Sequence, residues 1–131
     1  MAGKSTYLEN ALLNWLRGTA FPAPPAGLFI ALFNGDPTDA GTGGQEVTTA
    51  VRPDGRVAAP FGEPANKTIS NSAIVDFGNA AGGTDVTHFA VFSAAAGGTM
   101  LESAPLTGGK QTINPGNPVS FPVGALAITE D

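Results

Sequence analysis

The chain has no cysteine, one histidine and six basic residues against eleven acidic ones, and only 13% of its 131 residues are charged. The absence of cysteine excludes disulfides and thiolate metal sites and leaves the chain indifferent to redox compartment. Its few lysines and arginines are scattered, and with a net charge of −5 this argues against direct binding of DNA or RNA, whose phosphates need grouped cations. No apolar run approaches the ~18 residues of a membrane span. The N-terminal segment interleaves Glu9, Asn10, Asn14 and Arg17 with its apolar residues, unlike the uninterrupted core of a signal peptide. The sequence therefore predicts synthesis in a cytoplasm, with no nucleic-acid and no membrane partner.

Catalytic signatures are missing as well. There is no G-x-S-x-G elbow and no H-E-x-x-H pair. Gly3-Lys4-Ser5-Thr6 has the last letters of a phosphate-binding loop without the strand and first glycine that loop needs, so it reads as a helix entry. His88 has no identifiable nucleophile, acid or metal partner and reads as a hydrogen-bonded, half-buried strand residue. Asp76, Asp85 and Glu102 could meet as a glycosidase pair only by accident of folding, and solvated surface charge is the plainer reading. The chain is expected to be no enzyme and to need no cofactor.

What is present is glycine and proline, 18 and 11 residues or about 22 per cent of the chain, just below the roughly 25–30 per cent that marks low-complexity disorder. With 42% hydrophobic residues the chain reads as one folded, loop-rich domain over residues 1–131. The stretch Gly27 to Val47 organises it. Leu28, Ile30 and Leu32 alternate with Phe29, Ala31 and Phe33, so both faces of this strand are apolar and it belongs at the centre of a sheet. Asn34-Gly35-Asp36-Pro37 ends it and opens a long loop.

One helix is legible, at residues 6–17, with Thr6 as its cap and Glu9 completing a capping box. Leu8, Ala11, Leu12, Trp15 and Leu16 make its apolar face, Gly18 ends it, and residues 21–25, Phe-Pro-Ala-Pro-Pro, form a stiff connector. Beyond the central strand the pattern predicts strands at Val47 to Val51 and Arg56 to Phe61 around an Asp54-Gly55 hairpin turn. Others follow at Thr68 to Phe77, Val86 to Ser93, Met100 to Leu106, Lys110 to Ile113 and Val119 to Thr129, with Gly124 as a bulge or bend. Roughly seven to nine short strands after one helix predict an all-β fold with one N-terminal helix, as an antiparallel β-sandwich or jelly-roll-like barrel.

Asp36, Asp39 and Glu46 offer hard oxygen ligands for calcium, but their spacing fits no EF-hand, and carboxylates bonding local N–H groups are the simpler role. No metal site is therefore expected. An apolar stripe at helical spacing packs on its own domain more often than on a neighbour, so Leu8, Leu12 and Trp15 are expected in the core. The alternative is an anchor in a neighbouring subunit, built on Tyr7, Leu12, Trp15 and Phe21, because aromatic residues dominate interface energetics.

The run Tyr7-Leu8-Glu9-Asn10-Ala11-Leu12-Leu13, the strand Leu28 to Phe33 followed by Asp36-Pro37-Thr38-Asp39-Ala40-Gly41-Thr42-Gly43-Gly44, the segment Val86 to Phe92 and the closing Gly124 to Thr129 resemble a family of small virion proteins of tailed bacteriophages and prophages. The resemblance covers nearly the whole chain, with the D-P-T-D-A-G-T-G-G loop its most specific part. Asn117 stands where the family's usual pattern has an Asp before the last strand. The resemblance implies a virion component, of the head decoration, minor tail or tail fibre kind, and brings no catalytic residues. The leading expectation is a capsid cement protein on the outer surface of the head, a homotrimer clamping the major capsid protein. A low-charge surface loses little on desolvation, and many copies stabilise by mass action. Its candidate contacts are Tyr7, Leu12, Trp15, Phe21, Asp36 and Asp39. The alternative is a tail fibre or minor tail protein with an adhesion or assembly role.

Overall fold

The apolar run of the sequence becomes the middle of a sheet. The computed structural model describes residues 3–130. In chain order these form β1 (Gly3–Lys4), α1 (Thr6–Leu16), β2 (Phe29–Asn34), β3 (Gln45–Glu46), α2 (Thr48–Val51) and β4 (Val57–Ala58). There follow β5 (Thr68–Ser70), β6 (Val75–Asn79), β7 (Thr84–Val86), β8 (His88–Phe92), β9 (Met100–Pro105), β10 (Gln111–Ile113), β11 (Pro118–Phe121) and β12 (Ala127–Thr129). The main sheet runs β1-β9-β8-β2-β3, and β4 pairs with β2 beside β3. β2 is flanked on both sides, and Ile30, Ala31, Leu32 and Phe33 are all buried, as expected of a strand with two apolar faces.

The two faces of the sheet meet different neighbours. Ile30, Leu32, Phe89 and Val91 join Val75, Phe77, Val86, Ile113, Val119, Leu126 and Ile128 in the large core, so the two-stranded ribbons β10-β7, β11-β6 and β12-β5 cover this face. Ala31, Phe33, Ala90 and Met100 form a second, smaller cluster on the other face. The fold is mostly β with an N-terminal helix, and all its strand pairs are antiparallel. No closed barrel forms among the described residues, which corrects the jelly-roll-like expectation.

Several expected elements change shape. Val47 to Val51 is not a strand: Thr48–Val51 makes one helical turn, with Val47, Thr48 and Val51 facing inward. The Thr48 hydroxyl fixes that turn to β2 by accepting from Leu32 N and donating to Glu46 Oε2. Hence β4 pairs with β2, and no hairpin forms across Asp54-Gly55.

The expected strands Thr68 to Phe77 and Val119 to Thr129 do lie side by side, β5 against β12 and β6 against β11, but both break midway. Asn71, almost wholly buried, causes the break. Its amide donates to Ala73 O and Pro122 O and its Oδ1 accepts from Leu126 N, while its own carbonyl accepts from Gly124 N. With its N–H donating to Leu126 O as well, five bonds from one residue stitch two bends together, and Gly124 at φ +85° makes the second bend possible.

The helix starts one residue earlier in its capping than expected. Ser5, not Thr6, is the N-cap, its hydroxyl accepting from Leu8 N at 3.2 Å, and Arg17 is the C-cap. Ser5 N donates to Leu101 O and Thr6 N to Asp39 O, so β9 and the long loop hold the helix base.

Candidate functional site

Only the base of α1 is attached. Ala11 is its one buried residue, whereas Trp15 is 57% and Leu16 69% exposed, and Tyr7, Leu12, Leu13 and Phe21 are exposed as well. This corrects the expectation that Leu12 and Trp15 sit in the core: only Ala11, with half-buried Leu8, packs down, and the later turns of the helix meet no opposing layer. Residues 12–26 are exposed without a break. Gly18 N and Thr19 N bond back to Trp15 O and Asn14 O, and none of the backbone hydrogen bonds of the described residues involves residues 20–27. The helix end and the proline connector thus form an arm that the rest of the chain leaves uncovered.

A cavity of about 570 Å³ opens beneath this arm. Tyr7 and Leu8 of α1, Phe21 to Pro25 of the connector, and Leu28, Ile69 and Ile128 of the strands line it. Its walls are mostly apolar, with Tyr7, Ser93, Thr99 and Glu102, the one carboxylate, as the polar residues among them. Glu102 is 8% exposed. Burial first, and then the neighbouring Glu130 carboxylate to which it is hydrogen-bonded, push its carboxyl up to about 9. Glu130 keeps the charge, and its carboxyl is lowered by that hydrogen bond and by Lys4, whose Nζ lies 2.7 Å from Glu130 Oε1. Glu102 is therefore the protonated member and donates to Glu130. Glu102 Oε1 is sealed from solvent and has no N–H or hydroxyl donor among the described residues. A buried acceptor left unpaired costs about 1–3 kcal/mol.

The long loop is a folded part of the body. The Asp36 carboxylate accepts from Thr38 N at 2.8 Å, and its hydrogen bonds outweigh burial and hold it below the usual carboxylate range. Pro37 is buried. A Cβ on Gly43 would come within 2.5 Å of Asp36 O, and one on Gly44 within 2.6 Å of Gly35 O, so close backbone packing dictates both glycines. The Asp39 carboxylate lies near Glu9, whose carboxyl is pushed up by loss of solvent and then by that neighbour. Glu46 is engaged elsewhere: Arg56 grips it through Nε at 3.0 Å and Nη2 at 2.9 Å. Burial opposes ionisation of Glu46, but Arg56 and Thr48 outweigh it and hold the carboxyl low. Asp36, Asp39 and Glu46 are thus not gathered, and no cluster able to hold a metal ion occurs among the described residues.

The remaining candidates separate in the same way. His88 is half-buried with Nδ1 2.8 Å from the Thr87 hydroxyl, as the sequence indicated. Asp76 bonds Gly78 N, Asp85 lies 3.7 Å from Lys110, and Glu102 is with Glu130, so no glycosidase-like pair forms from them. Sequence reasoning missed Glu130 and Lys4 as partners of Glu102. They reach it from opposite ends of the chain, and spacing carries no signal of that.

Set against known proteins, residues 3–129 match the family model described as "Podophage GP4 fiber I protein gp80". No curated protein matches the chain. The family is one of fibre proteins, which overturns the capsid cement reading together with its major capsid protein partner and its place on the capsid surface. What stands of that expectation is the coarser statement, a structural component of the virion without enzymatic activity. The fibre alternative is the better description, and the chain belongs to the podophage GP4 fiber I (Gp80) family of phage fibre proteins.

Proposed function

We propose that the chain is a self-associating fibre subunit, one β-rich domain whose N-terminal arm anchors it to a neighbouring copy. The observation that carries this is the uncovered arm. Of the large hydrophobic residues exposed among the described ones, Tyr7, Leu12, Leu13, Trp15, Leu16 and Phe21 lie on α1 and the connector, against only Ile74 and Val123 elsewhere. A contiguous apolar surface of that kind marks an interaction site, and aromatic anchors dominate the energetics of such contacts. Tyr7, Leu12, Trp15 and Phe21 are its apolar contacts, and Asp36 and Asp39, in the loop that holds the helix base, form its polar rim. A homotrimer is the assembly we favour, because a head-to-tail contact that closes on itself gives a ring rather than an open aggregate.

Light scattering coupled to gel filtration tests this over a range of concentrations. The wild-type chain is expected to run as a closed oligomer, and Leu13→Asp with Leu16→Asp to run as a monomer. A wild-type chain that stays monomeric at every concentration would overturn the proposal.

A further inference from the structure

The joint between the arm and the body is built on acids. A short attachment fastens the arm: β1 pairs with β9 over two residues, with Lys4 opposite Glu102, and Ser5 N and Thr6 N donate to Leu101 O and Asp39 O. Two carboxyl pairs bracket it. On one side Glu102 is hydrogen-bonded to Glu130, whose Oε1 also meets Lys4 Nζ at 2.7 Å. On the other side Glu9 of α1 is hydrogen-bonded to Asp39 of the long loop.

Two carboxyl groups bond to each other only while one of them carries a proton, because an ionised carboxylate is an acceptor alone. The proton is thus a structural part of each contact. Glu102 is buried, and Tyr7 and Leu8 of the arm line the same cavity wall. An ionised Glu102 needs water around it, so its charging requires the first turns of α1 to lift. Among the described residues the groups that face the two pairs are Lys4 of β1 and Tyr7 of α1, so one cation stands against four carboxyls.

We infer that the two carboxyl pairs form a proton-operated latch at the root of the arm, seating α1 on the body while Glu9–Asp39 and Glu102–Glu130 each hold a proton and letting the arm swing once both pairs are fully ionised. The latch sets how the arm is held and does not depend on what the arm binds. Burial and then Glu130 raise the Glu102 carboxyl, and loss of solvent and then Asp39 raise that of Glu9. Both contacts are therefore complete at low pH and are lost as pH rises through the folded values. Half-buried Glu9 releases first, and buried Glu102 follows near 9.

Trp15, the sole tryptophan, rides on the arm beyond the latch and reports its motion. The time-resolved anisotropy of its emission is followed from pH 4.5 to just above pH 9, with far-UV circular dichroism alongside. The chain used carries Leu13→Ser and Leu16→Ser, an uncharged change, at a dilution where light scattering reads a monomer. The fast component, from the arm swinging against the body, is expected to grow as pH rises while the dichroism holds. In the same background Glu9→Gln with Glu102→Gln keeps a donor in each pair and cannot ionise, so the fast component is expected to stay small throughout. Glu9→Gln alone is expected to remove the earlier part of the rise and keep the part near 9, which tests the latch should the double variant fold poorly.

A fast component that does not change with pH, or that grows equally in Glu9→Gln with Glu102→Gln, would overturn the inference. Growth that only accompanies loss of the dichroism signal would overturn it too, because the body and not the joint would then be yielding. Self-association is read separately, from oligomer size, and stands or falls on its own.

Discussion

β2 and the arm carry side chains of the same kind and treat them in opposite ways. Ile30, Ala31 and Leu32 have no exposure at all, whereas Trp15 and Leu16 are more than half exposed. Side-chain hydrophobicity does not account for the difference. β2 has strands on both edges, the ribbons over one face and a smaller apolar cluster on the other, so Ile30 to Phe33 are buried whichever way they point. α1 meets the body only through its first turns, at Ser5, Leu8 and Ala11, and its remaining turns project where the chain supplies no opposing layer. The lesson is that hydrophobic content alone does not locate the core; the number of elements able to reach a residue does.

Substitutions on the two sides should separate cleanly. The largest loss is expected in the body. Phe89→Ala, in the middle of the main core, should cost about 3–5 kcal/mol in urea unfolding, as removal of a buried aromatic does, and should abolish assembly with folding. An unchanged midpoint would mean the two layers are not one core.

Arg56→Ala comes next, at about 2–3 kcal/mol. It strips the bidentate partner from Glu46 and the guanidinium lying 3.6 Å over the Phe92 ring, along with the bonds to Ala94 O and Gly97 O. Part of this loss is pH-dependent. Glu46 ionises below its usual value when folded, so its share of stability is present above about 4.5 and disappears as pH falls through the folded value. Melts at pH 7 and pH 3 should therefore differ more for wild type than for the variant.

Glu102→Gln has the opposite sign. The carboxyl titrates near 9 when folded and near 4.5 when unfolded. Between those values the folded chain keeps a proton that the unfolded chain has released, and wild-type stability falls as pH rises. Glu102→Gln keeps a donor toward Glu130 and removes that slope, so the variant should match wild type near pH 4.5 and become progressively the more stable of the two as pH rises to 8. Equal slopes for the two would show that Glu102 is ionised in the fold.

The smallest effect on folding is expected from Leu13→Asp with Leu16→Asp, within about 0.5 kcal/mol in the monomer's melt, although on the self-association proposed above the same change is expected to prevent assembly. A large drop in monomer stability would place these residues in the subunit's own core and erase the contrast with β2.

How far the sequence reveals this division depends on whether its signals are local. β2 is legible because alternation alone shows two apolar faces, and α1 is legible because its spacing and caps are local. The 47–51 segment misleads because β-branched Val and Thr suggest a strand, while Val47 and Val51, four apart, pack as one helical turn that Thr48 ties to β2; tertiary contacts override propensity there. The broken strands at Asn71 and Gly124 were half visible. Gly124 signals a bend, but the reason for the bend is Asn71, which lies 55 residues from its partner Leu126. The Glu102–Glu130–Lys4 group and the cavity are assembled wholly by topology, and no pattern along the chain encodes them. Tyr7, Leu12, Trp15 and Phe21 lie on or just after α1, and Asp36 and Asp39 in the loop that bonds the helix base, since amphipathic helices and turn carboxylates are local signals; their role as contacts is the proposal made above.

The connector decides how costly docking the arm would be. Three of the five residues from Phe21 to Pro25 are proline, with φ fixed near −65° and few conformations open to them. A glycine-rich tether of that length would sample many shapes and lose that freedom when pinned, at roughly 1–2 kcal/mol per residue for the backbone. A segment already stiff before contact has much less to lose, so the return path from the helix tip is preorganised. Hydrophobic area displayed on such a rigid element converts to affinity with little entropic discount.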